Sequence, residues 1–280
     1  MALRIITDTS CDLPDEELKK YGIKMVPLKV TFANGENYLD RFELSPDVFV
    51  EKMRKFKTLP KTSAPDPKTL MEYFEKGLKE AGEVIFVSIS SGLSSTYHTA
   101  CLAKKMIDSN KIKIFDSLTA SLGTGIMAVK AAQMAAKGIG LEGIIKRLNE
   151  IRKEREVIFT LDTLENVVKG GRLSKLEGLA ADFLHIKPIL RGNEKGVPEI
   201  VEKVRGRKRA IKRIVDMTEE IAGNKMSEKI VGISHVNCLE EAKLLASEIK
   251  NRFNPAQIII SDMSATVGTY AGEGGLMINF

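Results

Sequence analysis

The run Val84-Ile85-Phe86-Val87-Ser88-Ile89-Ser90-Ser91-Gly92-Leu93-Ser94-Ser95-Thr96 decides the fold. Residues 84–90 form a near-continuous apolar stretch, the pattern of a strand covered on both faces. The strand gives way to a turn crowded with hydroxyls, which leads into a stretch expected to be helical to about Met106. A doubly covered strand running into a helix is the unit of a largely parallel sheet with right-handed crossovers.

The same alternation extends outward from that run. Residues 3–7 read as a strand, and Asp12-Leu13-Pro14-Asp15-Glu16-Glu17 opens a helix that Gly22 closes. Residues 23–32 read as one strand, with Asn34-Gly35 a hairpin signal after it. Ser45-Pro46 and Asp66-Pro67 each pair a capping residue with a proline at the first helical position, which predicts helices to about Phe56 and Ala81. The segment between them, 58–65, reads as irregular. A further strand is expected at 111–117, then helices over about 118–137 and 141–153.

After Glu156 the crossovers become less regular. Strands are expected at 157–161, 187–190, 197–205, 229–235, 257–263 and 276–280, with helices up to His185, near 207–222 and near 239–252. The fold class is therefore α/β: an N-terminal, largely parallel-sheet α/β domain over residues 1–155 and a second, α+β domain over 156–280.

Bulk properties exclude several functions. With 43% apolar and 29% charged residues in 280, the chain has the composition of a soluble globular protein. No run of eighteen apolar residues occurs and the first residues lack the pattern of a signal peptide, so a cytoplasmic protein without stable membrane insertion is expected. Cys11, Cys101 and Cys238 are scattered, as are His98, His185 and His235, and neither set has the spacing of a metal site. The net charge of +6 attracts anions without identifying one.

Four motifs carry chemistry or its imitation. Gly123-Thr124-Gly125-Ile126-Met127-Ala128 matches a dinucleotide fingerprint in letters, but its first glycine lies six residues beyond the strand, so close helix packing explains it better. Gly92-Leu93-Ser94-Ser95-Thr96 approaches a nucleophile elbow, lacks its final glycine, and leaves open a Ser94-dependent esterase or acyl hydrolase with His185 or His235 as base. The same turn is also an anion site in waiting, because a helix N-terminus offers unpaired N–H groups and the hydroxyls of Ser91, Ser94 and Ser95 add donors. Thr62 and Ser63 join it if their loop crosses the carboxyl ends of the strands. Finally, Lys203-Val204-Arg205-Gly206-Arg207-Lys208-Arg209-Ala210-Ile211-Lys212-Arg213 is the densest basic run; without interleaved aromatics it argues against nucleic acid and reads as a solvated face or a docking surface, which Arg172 joins if its loop returns to that edge.

Taken together, Thr7-Asp8-Thr9-Ser10-Cys11-Asp12-Leu13, Lys61-Thr62-Ser63-Ala64-Pro65, Ile89-Ser90-Ser91-Gly92-Leu93-Ser94, Asp116-Ser117, Leu161-Asp162-Thr163-Leu164-Glu165, Gly170-Gly171-Arg172-Leu173-Ser174, Lys187-Pro188-Ile189-Leu190 and Val204-Arg205-Gly206-Arg207 resemble the DegV family over nearly the whole chain. The resemblance implies a lipid-binding carrier rather than an enzyme. One long-chain fatty acid would be buried between the two domains, and its carboxylate presented to a separate fatty-acid kinase whose acyl-phosphate product enters phospholipid synthesis. It implies no cofactor beyond that ligand. Thr62 and Ser94 would hold the carboxylate, with Ser91, Ser95 and Tyr270 near it, and Arg172, Arg205 and Arg207 would face the kinase or the phosphate. Tyr270 stands where many relatives have histidine; a phenol donates a hydrogen bond but carries no proton charge near neutral pH. Burying about fifteen methylenes at ~0.8 kcal/mol each gives roughly 12 kcal/mol before association costs, so the head group need only be oriented.

Overall fold

The computed structural model describes residues 3–56, 58–173 and 186–280; the helix expected up to His185 and the motif residue Ser174 lie outside them. The chain opens with β1 (Leu3–Asp8), α1 (Asp15–Tyr21), β2 (Lys24–Val26), β3 (Lys29–Thr31), β4 (Asn37–Leu39) and α2 (Pro46–Lys55). It continues through β5 (Lys61–Ser63), α3 (Pro67–Ala81), β6 (Glu83–Ser88), α4 (Thr96–Ile107), β7 (Ile112–Asp116), α5 (Leu122–Ala136) and α6 (Leu141–Lys153). Next come β8 (Val157–Thr160), α7 (Glu165–Lys169), β9 (Ile186–Gly192), β10 (Pro198–Arg205) and α8 (Arg207–Ala222). The last elements are β11 (Ile230–His235), α9 (Leu239–Phe253), β12 (Gln257–Asp262), α10 (Ala265–Ala271) and β13 (Leu276–Asn279).

Three sheets form among the described residues. The first has four parallel strands in the order β2-β1-β6-β7. Its connections leave β1 toward opposite edges, so β1 and β6 flank a switch point of the kind where open α/β sheets bind ligands. Thr7 Oγ1 donates to Val87 O at 2.8 Å and Asp8 Oδ2 accepts from Ile89 N at 2.9 Å, which ties the carboxyl ends of those two strands together. The second sheet runs β10-β9-β8-β13-β11-β12 and is antiparallel except for the β11–β12 pair. A small antiparallel sheet, β4-β3-β5, stands beside the first.

Local chemistry accounts for most of the elements. Ser45 and Asp66 cap α2 and α3 with proline next in line, accepting from Val48 N and Thr69 N. That bond and the nearby Lys29 hold the Asp66 carboxyl down at about 2. Asn34-Gly35 makes the β3–β4 hairpin, with Gly35 at a positive φ of 86°. Helix α5 is apolar on nearly every side because it is covered on nearly every side. Leu122 and Ile126 share one core with Ile5, Ile85 and Val87 of the first sheet and Ile230 and Ile259 of the second. Gly232 on β11 is a glycine because any Cβ there would meet Leu122.

The structure differs from the expectations in four places. The strand read over 23–32 is two strands, because Pro27 has no N–H to donate and the chain changes sheets around it. The irregular segment contains β5, which pairs Thr62 with Val30. Helix α5 starts at Leu122 rather than near 118, since Asp116 and Ser117 side chains accept from Leu118 N and Thr119 N and draw that backbone into a loop. The short helix α10 was not expected at all: Thr266, Val267, Gly268 and Thr269 are weak helix formers. Among the described residues no helix is long and apolar enough to cross a membrane.

Among the described residues two buried carboxylates, Asp40 and Asp12, link the halves. Asp40 accepts from Ala265 N at 3.0 Å and Thr266 N at 3.1 Å, fixing the start of α10. Asp12 Oδ1 accepts from Ser264 N at 2.8 Å, while Ser121 Oγ lies 2.5 Å from Asp12 Oδ2 and 2.7 Å from Ser234 Oγ. Burial outweighs these bonds and pushes the Asp12 carboxyl up to about 7 and that of Asp8 up to about 6, against 3.8 ordinarily. Between those values the folded chain holds protons that the unfolded chain has lost, so this contribution to stability falls as pH rises from about 4 to about 7. We predict that Asp12→Asn flattens the decline, by on the order of 2 kcal/mol between pH 5 and pH 7.5 in urea unfolding. A mutant decline as steep as that of the wild type contradicts this.

Candidate ligand-binding cavity

Beside the carboxyl end of β6 the two larger sheets flank a cavity of about 840 Å³ counted out to its mouth. Its lining is set by strand periodicity. Val157, Phe159 and Leu161 project from one face of β8 into the cavity beside Met277 of β13, while Ile158 on the opposite face joins the core beneath α8 and α9. Val167, Val267 and Ala271 come from α7 and α10. Ile89, Leu93, Leu118 and Ala120 come from loops of the first sheet.

The tip of the β9–β10 hairpin closes one side. Gly196 has a φ of +71°, and a Cβ there would press into Ser90 Oγ and the Leu118 carbonyl, so both the backbone and the space demand glycine. Arg155 holds the same junction: it donates to Leu118 O at 2.8 Å and to Asn193 O at 3.0 Å. Neither residue stood out in the sequence, since an arginine bonded to backbone carbonyls leaves no pattern.

The polar groups concentrate around one tyrosine. Thr62 Oγ1 and Tyr270 Oη are 2.6 Å apart. The Arg172 guanidinium lies over the Tyr270 ring, its carbon 4.4 Å from the centroid, and donates to Leu93 O at 3.2 Å and Gly170 O at 2.6 Å. Gly170 packs so closely that a Cβ would overlap the ring. Ser94 lines the same cavity, its hydroxyl 2.9 Å from Thr96 Oγ1. Thr266 also lines it, a residue the sequence did not single out; its buried hydroxyl lies near the Asp40 carboxylate.

Of the residues singled out from the sequence, Thr62, Ser94, Tyr270 and Arg172 thus meet in one cavity. Ser91 and Ser95 do not line it: Ser91 N donates to Asp116 Oδ1 at 3.1 Å, and Ser95 is exposed at the start of α4. Arg205 is exposed at the end of β10. Arg207 is engaged, with Nη2 2.6 Å from Glu241 Oε2 and Nη1 3.6 Å from Asp162 Oδ1. As for Ser94 as a nucleophile, His235, buried on β11 beside Asp262, does not line the cavity, and the other candidate base, His185, lies outside the described residues. No cluster of His, Cys, Asp and Glu suited to a metal occurs among the described residues.

A mostly apolar lining, with the Thr62, Ser94 and Tyr270 hydroxyls and the Arg172 guanidinium gathered near one another, suits an amphipath with an anionic head. The cation and the hydroxyls orient the head, and the walls remove the rest from water.

Comparison with known proteins gives the same picture. The family model described as uncharacterised protein, DegV family, matches residues 2–280. A DegV domain-containing protein of Listeria innocua is 37% identical over 276 residues, covering 98% of this chain and 96% of that one. A DegV-family protein from Ruminococcus gnavus, solved with vaccenic acid, superposes with a TM-score of 0.92 at 28% identity, covering 100% of this chain and 99% of that one. The fatty acid kinase (Fak) B3 protein of Streptococcus pneumoniae, loaded with linoleic acid, superposes with a TM-score of 0.87 at 26% identity, over 100% and 99% of the two chains. With a family model spanning nearly all of its residues and a relative this similar along its length, the chain belongs to the DegV family.

Proposed function

We propose that this protein is a cytoplasmic carrier that holds one long-chain fatty acid in the cavity and presents its carboxylate to a separate fatty-acid kinase. The observation that carries the reading is the gathering of Thr62, Tyr270, Arg172 and the Ser94 turn in a cavity lined mostly by apolar side chains. Solved relatives described with vaccenic and linoleic acid support it, and the kinase system named for one of them supports the partner.

Thr62 and Ser94 from residues 1–155, with Arg172 and Tyr270 from residues 156–280, surround the carboxylate. The acyl chain lies along Val157, Phe159 and Leu161. Ser91 and Ser95 shape the turn rather than touch the ligand, while Arg205, exposed on the edge strand, faces the kinase. In the transfer the carboxylate oxygen attacks the γ-phosphorus of ATP on the kinase, giving acyl phosphate and ADP. The carrier supplies no group that must gain or lose a proton, which is consistent with a phenol at residue 270.

Two outcomes test the reading. Thr62→Ala combined with Ser94→Ala weakens fatty-acid binding by roughly 30-fold, as two hydrogen bonds to a carboxylate are lost while the apolar walls remain. Unchanged affinity in a folded double mutant removes the head-group assignment. Arg205→Ala lowers acyl-phosphate formation by a purified fatty-acid kinase about tenfold and leaves lipid affinity as it was. A wild-type rate excludes Arg205 from the kinase-facing surface.

A further inference from the structure

A second, larger cavity has different chemistry. It runs along one face of α5, from Gly123 through Ile126 and Lys130 to Lys137, and encloses about 1680 Å³ counted out to its mouth. The far wall is formed by residues 225–230 and the end of β13. It adjoins the fatty-acid cavity at Thr119, which lines both. In contrast to that cavity its lining carries six basic side chains against three acidic ones.

Arg147 is paired with Glu150 at 2.5 Å, but two of the lysines lack a carboxylate partner. Lys130 has no ion pair among the described residues, and Lys229 Nζ reaches the carbonyl of Glu154 at 3.4 Å rather than a carboxylate. Of the acids on the rim, Glu156 is engaged by Arg191 at 2.6 Å, leaving Glu154 and Glu228. Burial, then repulsion from Lys137, Lys229 and Arg147, holds Lys130 below the ordinary lysine range. Burial lowers Lys229 as well, against the opposing pull of Glu154 and Glu156. An independent observation points into the same space. Asn279 lines it at 1% exposure, yet neither Nδ2 nor Oδ1 has a hydrogen-bond partner. An unpaired buried amide is costly, and such groups are rare unless a ligand or water completes them.

We propose that this groove is a binding site for a phosphorylated small molecule, with Lys130 and Lys229 paired to a phosphate dianion and Asn279 Nδ2 donating to one of its oxygens. A dianion relieves the mutual repulsion of the lysines, and ammonium groups on flexible stems are well suited to phosphate as point charges. The site is separate from the head-group end of the fatty-acid cavity, and its occupancy does not depend on the carrier reading.

Calorimetric titration of the full chain with inorganic pyrophosphate at physiological salt tests it, against sodium chloride at matched ionic strength. The expected result is saturable binding at one site per chain. Lys130→Gln and Lys229→Gln each weaken it about tenfold, while Lys208→Gln, which removes the same charge from the exposed face of α8, leaves it unchanged. Asn279→Leu discriminates further: it raises the melting temperature of the free protein by removing an unpaired amide and weakens pyrophosphate binding. An absence of saturable binding, or equal weakening by Lys208→Gln and Lys130→Gln, overturns the proposal. So does an Asn279→Leu protein that is less stable and binds pyrophosphate like the wild type.

Discussion

Asp12 is wholly buried, and the bonds it accepts, from Ser264 N in the second half and Ser121 Oγ in the first, span the boundary between the two sheets. The fatty-acid cavity exists only if those sheets keep their spacing, because apolar walls left free to approach would close on one another. Helix α5 sets the distance from within, since Leu122 meets Gly232 with no room for a side chain between them. The carboxylates then fix the lateral position: Asp12 holds the residue before α10, and Asp40 holds the first two N–H groups of that helix. A buried acid is a poor source of stability, but it is directional where apolar packing is not. Directionality matters here because α10 carries Tyr270, and Tyr270 carries the hydrogen bond to Thr62.

The head-group end has the same logic on a smaller scale. The Tyr270 ring lies between the backbone of Gly170 and the guanidinium of Arg172, and the phenol reaches Thr62 on an edge strand of the small sheet. The partners come from two segments remote from Tyr270's helix, around residue 62 and at 170–172. Packing and hydrogen bonds among these segments hold the side chains in place, which lowers the ordering cost of binding.

The sequence disclosed those parts of this arrangement that rest on local chemistry. The apolar run at 84–90, the Ser45-Pro46 and Asp66-Pro67 starts and the Asn34-Gly35 turn each act within a few residues, and each forms as read. The hydroxyl-rich turn after β6 was visible for the same reason. The sequence concealed what depends on long-range contact. β5 is three residues of Lys-Thr-Ser that become a strand because β3 is there to pair with them. α10 is a helix because Asp40, 225 residues earlier, caps it. Thr266, Gly170 and Arg155 serve the cavity through neighbours that are remote in the chain, and no local pattern marks them. Similarity to a family named Thr62, Ser94 and Tyr270 together, whereas residue chemistry alone reached only the hydroxyl-rich turn and a conditional approach to Thr62.

The central claim is that the cavity holds a fatty acid. Native mass spectrometry of freshly purified protein, with denaturation and identification of the released small molecule, addresses it most directly. The account predicts one long-chain fatty acid per chain, released on unfolding. A clean apo mass from a protein that also resists loading with saturated and unsaturated long-chain acids would contradict it.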